Sequence, residues 1–444
     1  MSYNTYEKYK DSGIEWIGEI PEHWEVKKLK FVLKSSLKYG ANEIAEFDEK
    51  EFPRYIRITD FGSDGKLRLD TFKSLPPEKA KDYLLEEGDI LFARSGATVG
   101  KTFQFKGYSG QACFAGYLIK ASVNQKLILS DYLYLFTKSG LYEDWKNSIF
   151  NQATIQNIGA DKYSVFEISL PPLKEQAAIT NYLNYKNLEI DELIADKQRL
   201  LALYEEEKTA IINQAVTKGI NPDAPMKDSG IEWLGEIPAH WEVKKLKNLV
   251  SKIGSGVTPS GGSTVYLKSG IPLLRSQNIH FDGLKLEDVA YISEEIDESM
   301  KNSRIQAKDV LLNITGASIG RCYYLPDDFE YGNVNQHVCI LRPKIDKIDT
   351  KYLYFLMRSE LGQLQIALQQ TGANREGLNF EQLRNFLFCI PSVKEQKNII
   401  RELENETDKV NTKITRTQKL IDLLTEYKTA LISEVVTGKI KVSN

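Results

Sequence analysis

The segment DSGIEWIGEIPEHWEVKKLK at residues 11–30 is written again at 228–247 as DSGIEWLGEIPAHWEVKKLK, with two changes in twenty positions. A duplication this close, in a chain of 444 residues, restricts the fold to two copies of one module. The match continues through both halves. GDILFARSGATVGK (88–101) returns as KDVLLNITGASIGR (308–321), and DYLYLFTKSG (131–140) as KYLYFLMRSE (351–360). PPLKEQAAI (171–179) returns as PSVKEQKNI (391–399), and EEEKTAIINQAVTKG (205–219) as TEYKTALISEVVTGK (425–439). A period of about 220 residues is far above that of a solenoid unit, so each half is a complete module.

Each module has a globular part and a rod. Short apolar–polar alternations such as PRYIRITDF, DILFARSG and ACFAGYLIKA, separated by Gly, Asn and Asp, predict a mixed α/β (α+β) head. Residues 131–147 and 350–370 read as helical within it. After Pro171-Pro172 the pattern changes: Ile190, Leu193, Leu200, Tyr204 and Ile211 recur at helical spacing, with Lys197 as a gap. The second copy is cleaner, with Leu403, Val410, Ile414, Ile421, Leu424 and Leu431 in steps of three and four and Thr407, Thr417 and Lys428 at the missed positions. Each rod is then a helix roughly 65 Å long at 1.5 Å per residue. Gly219 and Gly438 suit the helix ends, and Pro222 and Pro225 prevent continuation. A single such helix leaves its stripe wet, so the two pack on each other. Periodicity alone leaves their relative direction open. The expected division is a first globular domain over 1–170, a long helix over 171–218, and a linker with the repeated start segment over 219–240. A second domain over 241–390 and a second long helix over 391–440 complete it.

The chain carries 42% hydrophobic and 27% charged residues, the balance of a folded protein. It has no run of eighteen apolar residues and no apolar core in MSYNTYEKYKDSG, so no membrane association and a cytoplasmic location are expected. Cys113, Cys322, Cys339 and Cys389 form no CxxC pair and read as buried free thiols, and no metal site is expected. SGATVGKT (95–102) approaches a phosphate loop, but Ser95 stands where the first glycine is needed and Cys322 follows Arg321 in the second copy. It reads as a tight glycine turn between strands. No segment fits a methyl-donor or dinucleotide loop, and the acidic residues of DFGSDG lie too close together for a carboxylate pair on a metal. No catalytic residue is assigned. Trp16, Trp24, Trp233 and Trp241 read as anchors of each module to its rod, with His23 and His240 hydrogen-bonding beside them.

The copies diverge at loops. RITDFGSDG (57–65) aligns with RSQNIHFDG (275–283), and FNQATIQNIG (150–159) faces QQTGANREGLNF (369–380). Arg, Asn and Gln are the side chains that pair with base edges, whereas Lys and Arg on phosphate position a domain without reading sequence. The candidate DNA contacts are therefore Arg57, Thr59, Asp60, Arg94, Lys101, Gln152 and Thr154 in the first half. In the second they are Arg275, Gln277, Asn278, Arg321, Asn374 and Arg375. A net charge of −3 argues against a strongly basic nucleic-acid protein acting alone, though not against local basic loops or shared contacts.

The WEVKKL starts (24–29 and 241–246), the two glycine-turn segments, and PPLKEQAAI and PSVKEQKNI leading into the long helices together resemble the DNA-specificity subunit of a type I restriction–modification system. The resemblance covers nearly the whole chain. It implies two target-recognition domains, each reading one part of a split double-stranded DNA sequence, and an antiparallel intramolecular coiled coil as the ruler between them. It further implies two modification subunits that methylate adenine N6 with S-adenosylmethionine, and two restriction subunits that make an ATP-dependent endonuclease. S-adenosylmethionine, ATP and magnesium are then expected on those partners and no cofactor on this chain. Two other readings remain from the residues: a protein–protein scaffold with no DNA preference, and a nuclease or methyltransferase in its own right.

Overall fold

The computed structural model describes residues 4–62, 65–150, 157–370 and 377–442. Contacts divide the chain into two compact units, Met1–Gln198 with Lys419–Asn444, and Arg199–Gln418. The first unit contains an antiparallel four-stranded sheet in the order Lys38–Tyr39, Leu118–Ala121, Ile90–Ala93, Thr102–Gln104. The second repeats it with Val250–Ser255, Val338–Pro343, Val310–Asn313 and Cys322–Tyr324.

The strand Ile90–Ala93 is buried at all four positions because both its faces are covered. Ile90 and Phe92 join the core shared with the rod helices, and Leu91 and Ala93 join a second core with Ile56, Phe103 and Phe114. The second unit keeps this partition: Val310 and Leu312 face the rod side, and Leu311 the outer core. Period-two alternation thus separates two hydrophobic layers, not core from water. Above that sheet the units differ in the extent of pairing, since unit one flanks its outer strand pair with single bridges only, Arg54 to Ser74 and Leu84 to Cys113. Unit one pairs Arg54–Ile56 in parallel with Ala112–Phe114. Unit two extends the equivalent pair to four strands, in the order Ala290–Ile292, Ile271–Leu274, Gly332–Val334, Arg304–Ile305.

The stretches read as helical at 131–147 and 350–370 are each broken. Ser130–Phe136 is followed by Gly140–Phe150, and Thr350–Arg358 by Glu360–Gln370. The break falls at Ser139 and Ser359, whose hydroxyls donate to Phe136 O (2.6 Å) and Leu356 O (2.7 Å). A serine that satisfies backbone groups itself offers the chain an exit from the helix.

The two long helices are Leu173–Thr217 and Val393–Val436, and each contributes to both units. They end where Gly219 and Gly438 adopt φ of 76° in each case, a conformation that glycine takes without penalty. Within unit one, Ser169 Oγ lies 2.5 Å from Val436 O while Asp191 pairs with Lys428 at 2.6 Å, so the helices run antiparallel. Within unit two, Cys389 Sγ lies 3.1 Å from Val216 O and Glu207 pairs with Lys413 at 3.0 Å, giving the same direction. Ile190, Leu403, Val410, Ile421 and Leu431 are buried, and Leu200, Tyr204, Ile211, Ile414 and Leu424 are half-buried. Leu193 is a correction. It is 47% exposed, and Ile194 packs against the unit-one core in its place, because four residues from Ile190 keep to one helix face better than three. Among the described residues, no helix is long and apolar enough to cross a membrane.

Candidate nucleic-acid interface

The twice-written segment packs against its helices at a joint that is itself duplicated. The strand Glu25–Lys28 pairs with Glu167–Leu170, which leads directly into the first long helix, and Glu242–Lys245 pairs likewise with Leu387–Ile390. This register brings buried Trp24 over the first turn of the helix, where its Nε1 donates to Glu175 at 3.0 Å and His23 Nε2 lies 2.7 Å from the same carboxylate. Trp241 donates to Glu395 at 3.0 Å, with His240 at 2.9 Å. The next residue fixes the head. Gln176 accepts from Leu129 N and donates to Leu127 O and Pro171 O; Gln396 accepts from Asp349 N and donates to Lys347 O and Pro391 O. The repeated KEQ is therefore the joint. A Cβ at Gly438 would fall 2.4 Å from Pro21 Cγ and 3.2 Å from Trp24, and one at Gly219 would fall 3.2 Å from Trp241, so the tryptophans line both helix ends closely. Trp16 instead stacks on Phe166 within the head, and Trp233 is 39% exposed. Burial works to raise the Glu175 carboxyl, but donors Tyr6, His23 and Trp24 outweigh it and hold it below the usual glutamate range.

The R-x-x-D/N frame forms a pair of matching one-turn 3-10 helices, Ile58–Asp60 and Ser276–Asn278. Arg57 spends its guanidinium inside this turn, on Asp60 Oδ1 (2.7 Å) and Thr71 O (2.8 Å), while Asp60 also accepts from Arg57 N (2.6 Å). Asn278 is the counterpart. It accepts from Arg275 N (2.9 Å) and donates to Lys285 O (2.8 Å), and Arg275 bonds Asp288 O (2.9 Å). Asp60 and Asn278 are buried, so these two candidates hold the turn and do not face solvent. Thr59 and Gln277 stand exposed at its tip, with Gln277 Nε2 2.5 Å from Asp288 Oδ2.

The glycine segment is a closed hairpin turn. Ala93 N bonds Lys101 O, Gly100 N bonds Ala93 O, and the second copy repeats both through Asn313, Arg321 and Gly320. A phosphate loop opens a helix; this one returns to a strand. Half-buried Arg94 at its start lies 4.9 Å from the Tyr39 ring centroid, with its Nε buried and unpartnered, and Lys101 at its end is exposed. In unit two, Asn313 Nδ2 donates to Ser276 O at 2.8 Å, and Thr315 bridges to Gly377. The structure thus brings together the turn at 275–278, the hairpin at 313–321 that carries Arg321, and the end of the 369–380 loop. In unit one, Ser95 bridges to Asn157 in the same way. Gln152, Thr154, Asn374 and Arg375 lie outside the described residues.

Sequence reading missed two features of this region. Exposed Tyr117 was absorbed into the alternation of ACFAGYLIKA. The tip of the 279–284 hairpin, which follows the Gln277 turn, is clamped to the rod: Asp282 lies 2.7 Å from Lys208 of the first long helix and 2.9 Å from Arg358. Burial favours a neutral Asp282, yet these two cations outweigh it and lower its carboxyl below the ordinary range. The repeated lysine in EEEKTAIINQ and TEYKTALISE was the available signal.

Burial pushes the thiols of Cys113, Cys322, Cys339 and Cys389 up to about 12. Among the described residues, no three His, Cys, Asp or Glu side chains gather as a metal site.

Two heads of one architecture, joined to an antiparallel helix pair by matching joints and divergent at their loop tips, define a duplicated recognition scaffold. The chain belongs to the family of the type I restriction modification DNA specificity domain, whose model matches residues 21–199 and 238–423. It is similar to the type I restriction enzyme MjaVIII specificity subunit of Methanocaldococcus jannaschii, 26% identical over 96% of this chain and 95% of that one. Its fold is similar to a chain solved in a study of assembly and conformational transition of the type I restriction–modification system. That match has a TM-score of 0.70 at 15% identity, over 94% of this chain and 98% of that one. The HsdS subunit from Thermoanaerobacter tengcongensis matches over the same shares, with a TM-score of 0.50 at 15% identity.

Proposed function

We propose that this chain is the sequence-reading and assembly component of a type I restriction–modification complex. Each head, within 1–170 and 241–390, reads one half of a split double-stranded DNA site. The helices within 171–218 and 391–440 hold the heads at a set spacing, with 219–240 as linker. Two modification subunits bring S-adenosylmethionine and methylate adenine N6, and two restriction subunits bring ATP and magnesium, in the cytoplasm. Chemistry resides on the partners.

The observation that carries the reading is where the halves agree and where they part. They agree at the joint, down to each hydrogen bond of Gln176 and Gln396, and part at the exposed tips, Thr59 against Gln277. Two readers on one frame require this division. The neutral-to-acidic chain is completed as a DNA clamp by basic partner surfaces.

Selection from a random duplex pool, with this chain assembled on two modification subunits, tests it. Two short fixed blocks with a constant gap are expected. An assembled complex that enriches no sequence would mark the chain as a protein scaffold without DNA preference.

A further inference from the structure

In unit two the chain turns at Gln336–His337, between the strands Gly332–Val334 and Val338–Pro343. In unit one the equivalent turn is Gly116–Tyr117, between Ala112–Phe114 and Leu118–Ala121. Building on the function proposed above, we propose that this turn is a further base-reading element in each head, and that Gln336 reads an adenine edge in the half-site of unit two.

Placement supports it first. Arg94 N donates to Tyr117 O at 3.0 Å and Ile314 N to His337 O at 3.0 Å, so each turn lies beside the hairpin already implicated. Gln336 is exposed and Tyr117 is 66% exposed. Preorganisation supports it second. Gln336 Nε2 lies 2.9 Å from His337 Nε2, and His337 Nδ1 lies 2.5 Å from Thr315 Oγ1. One tautomer satisfies both contacts: Nδ1–H donates to the hydroxyl, and Nε2 accepts from the amide. Asn335 Oδ1 braces the turn by accepting from His337 N at 3.2 Å. The amide is left with Oε1 and its second N–H, the acceptor and donor that match adenine N6 and N7 in the major groove. A side chain held by its neighbours loses less freedom on binding. Divergence supports it third. Where unit two has Asn335, Gln336 and His337, unit one has Ala115, Gly116 and Tyr117, on the same backbone turn. Polar reading on one side and an aromatic contact on the other suit two different half-sites.

The test is a base-resolution methylation map of DNA from cells carrying the full modification complex, with wild-type chain, Gln336→Ala or Gln336→Glu. In Gln336→Ala, one position of one half-site should lose roughly 10- to 100-fold of its discrimination for adenine, with the other half-site and the gap unchanged. Gln336→Glu, which only accepts, should shift that position toward cytosine. Both half-sites unchanged in both variants, beside a bipartite wild-type motif, overturns this inference and leaves the proposed function standing. Equal loss at both half-sites also overturns it, since that is a folding effect. A wild-type map with no bipartite motif removes the proposed function, and this inference with it.

Discussion

At the residue scale, Glu175 illustrates how the two copies stay alike. Its carboxylate takes hydrogen bonds from Trp24 and His23, as Glu395 does from Trp241 and His240, and in unit one also from Tyr6, and so ties the start of the module to the start of the helix. Glu175→Gln should lower the stability of unit one by about 1–2 kcal/mol at neutral pH, through loss of charge-assisted hydrogen bonds. The Glu175 carboxyl is depressed in the folded chain, so this contribution is present above the unfolded value of about 4.3 and is lost as pH falls through the folded one. Urea midpoints of wild type and variant should therefore converge only once pH has fallen past the depressed folded value; a gap constant with pH would assign the effect to packing alone. At the loop tips, Gln277→Ala should relax one position of one half-site, because its amide sits on the exposed tip. Arg94→Ala should weaken all sequences alike if its guanidinium meets phosphate. Methylation maps and duplex binding separate the two, and uniform loss in Gln277→Ala contradicts the first. The frame of these turns was legible in the sequence as R-x-x-D/N, but the side chains that build it, Asp60 and Asn278, looked like readers. Residues with equivalent roles in both halves turned out to form the shared turn, while those that differ stand at its tip.

At the scale of elements, the long helices were the most legible part of the chain, since a stripe sustained through a whole helix outweighs any single misplaced residue. Leu431 is buried between the helix pair and the head, and Leu193 faces out. Leu431→Ala should cost about 3 kcal/mol of unit-one stability, and Leu193→Ala no more than about 0.5 kcal/mol, by urea unfolding of the free chain. Equal costs would mean that the stripe is misassigned. The helix breaks at Ser139 and Ser359 were not legible, because apolar periodicity continues through them and only hydroxyl-to-backbone bonds reveal the exit. Nor was the layering of Ile90–Ala93, whose unbroken apolar run gives no sign that alternate residues enter different cores. The direction of the helices is fixed by pairs distant in sequence, Asp191 with Lys428 and Glu207 with Lys413, which periodicity does not encode.

At the scale of the molecule, duplication explains both the agreement and the divergence. Two equivalent joints hold the two heads in the same way, and heads on those joints are free to differ. The outer sheets differ in the extent of pairing: unit two forms four strands where unit one has a strand pair flanked by single bridges, Arg54 to Ser74 and Leu84 to Cys113. The central claim is that each head reads its own half-site independently. The most direct measurement is an adenine-methylation map of host DNA, with the modification complex carrying residues 30–170 exchanged for those of another family member. The account predicts a bipartite motif in which one half changes while the other half and the gap are kept. A change in both halves, or none in either, with the complex assembled and methylating, would contradict it.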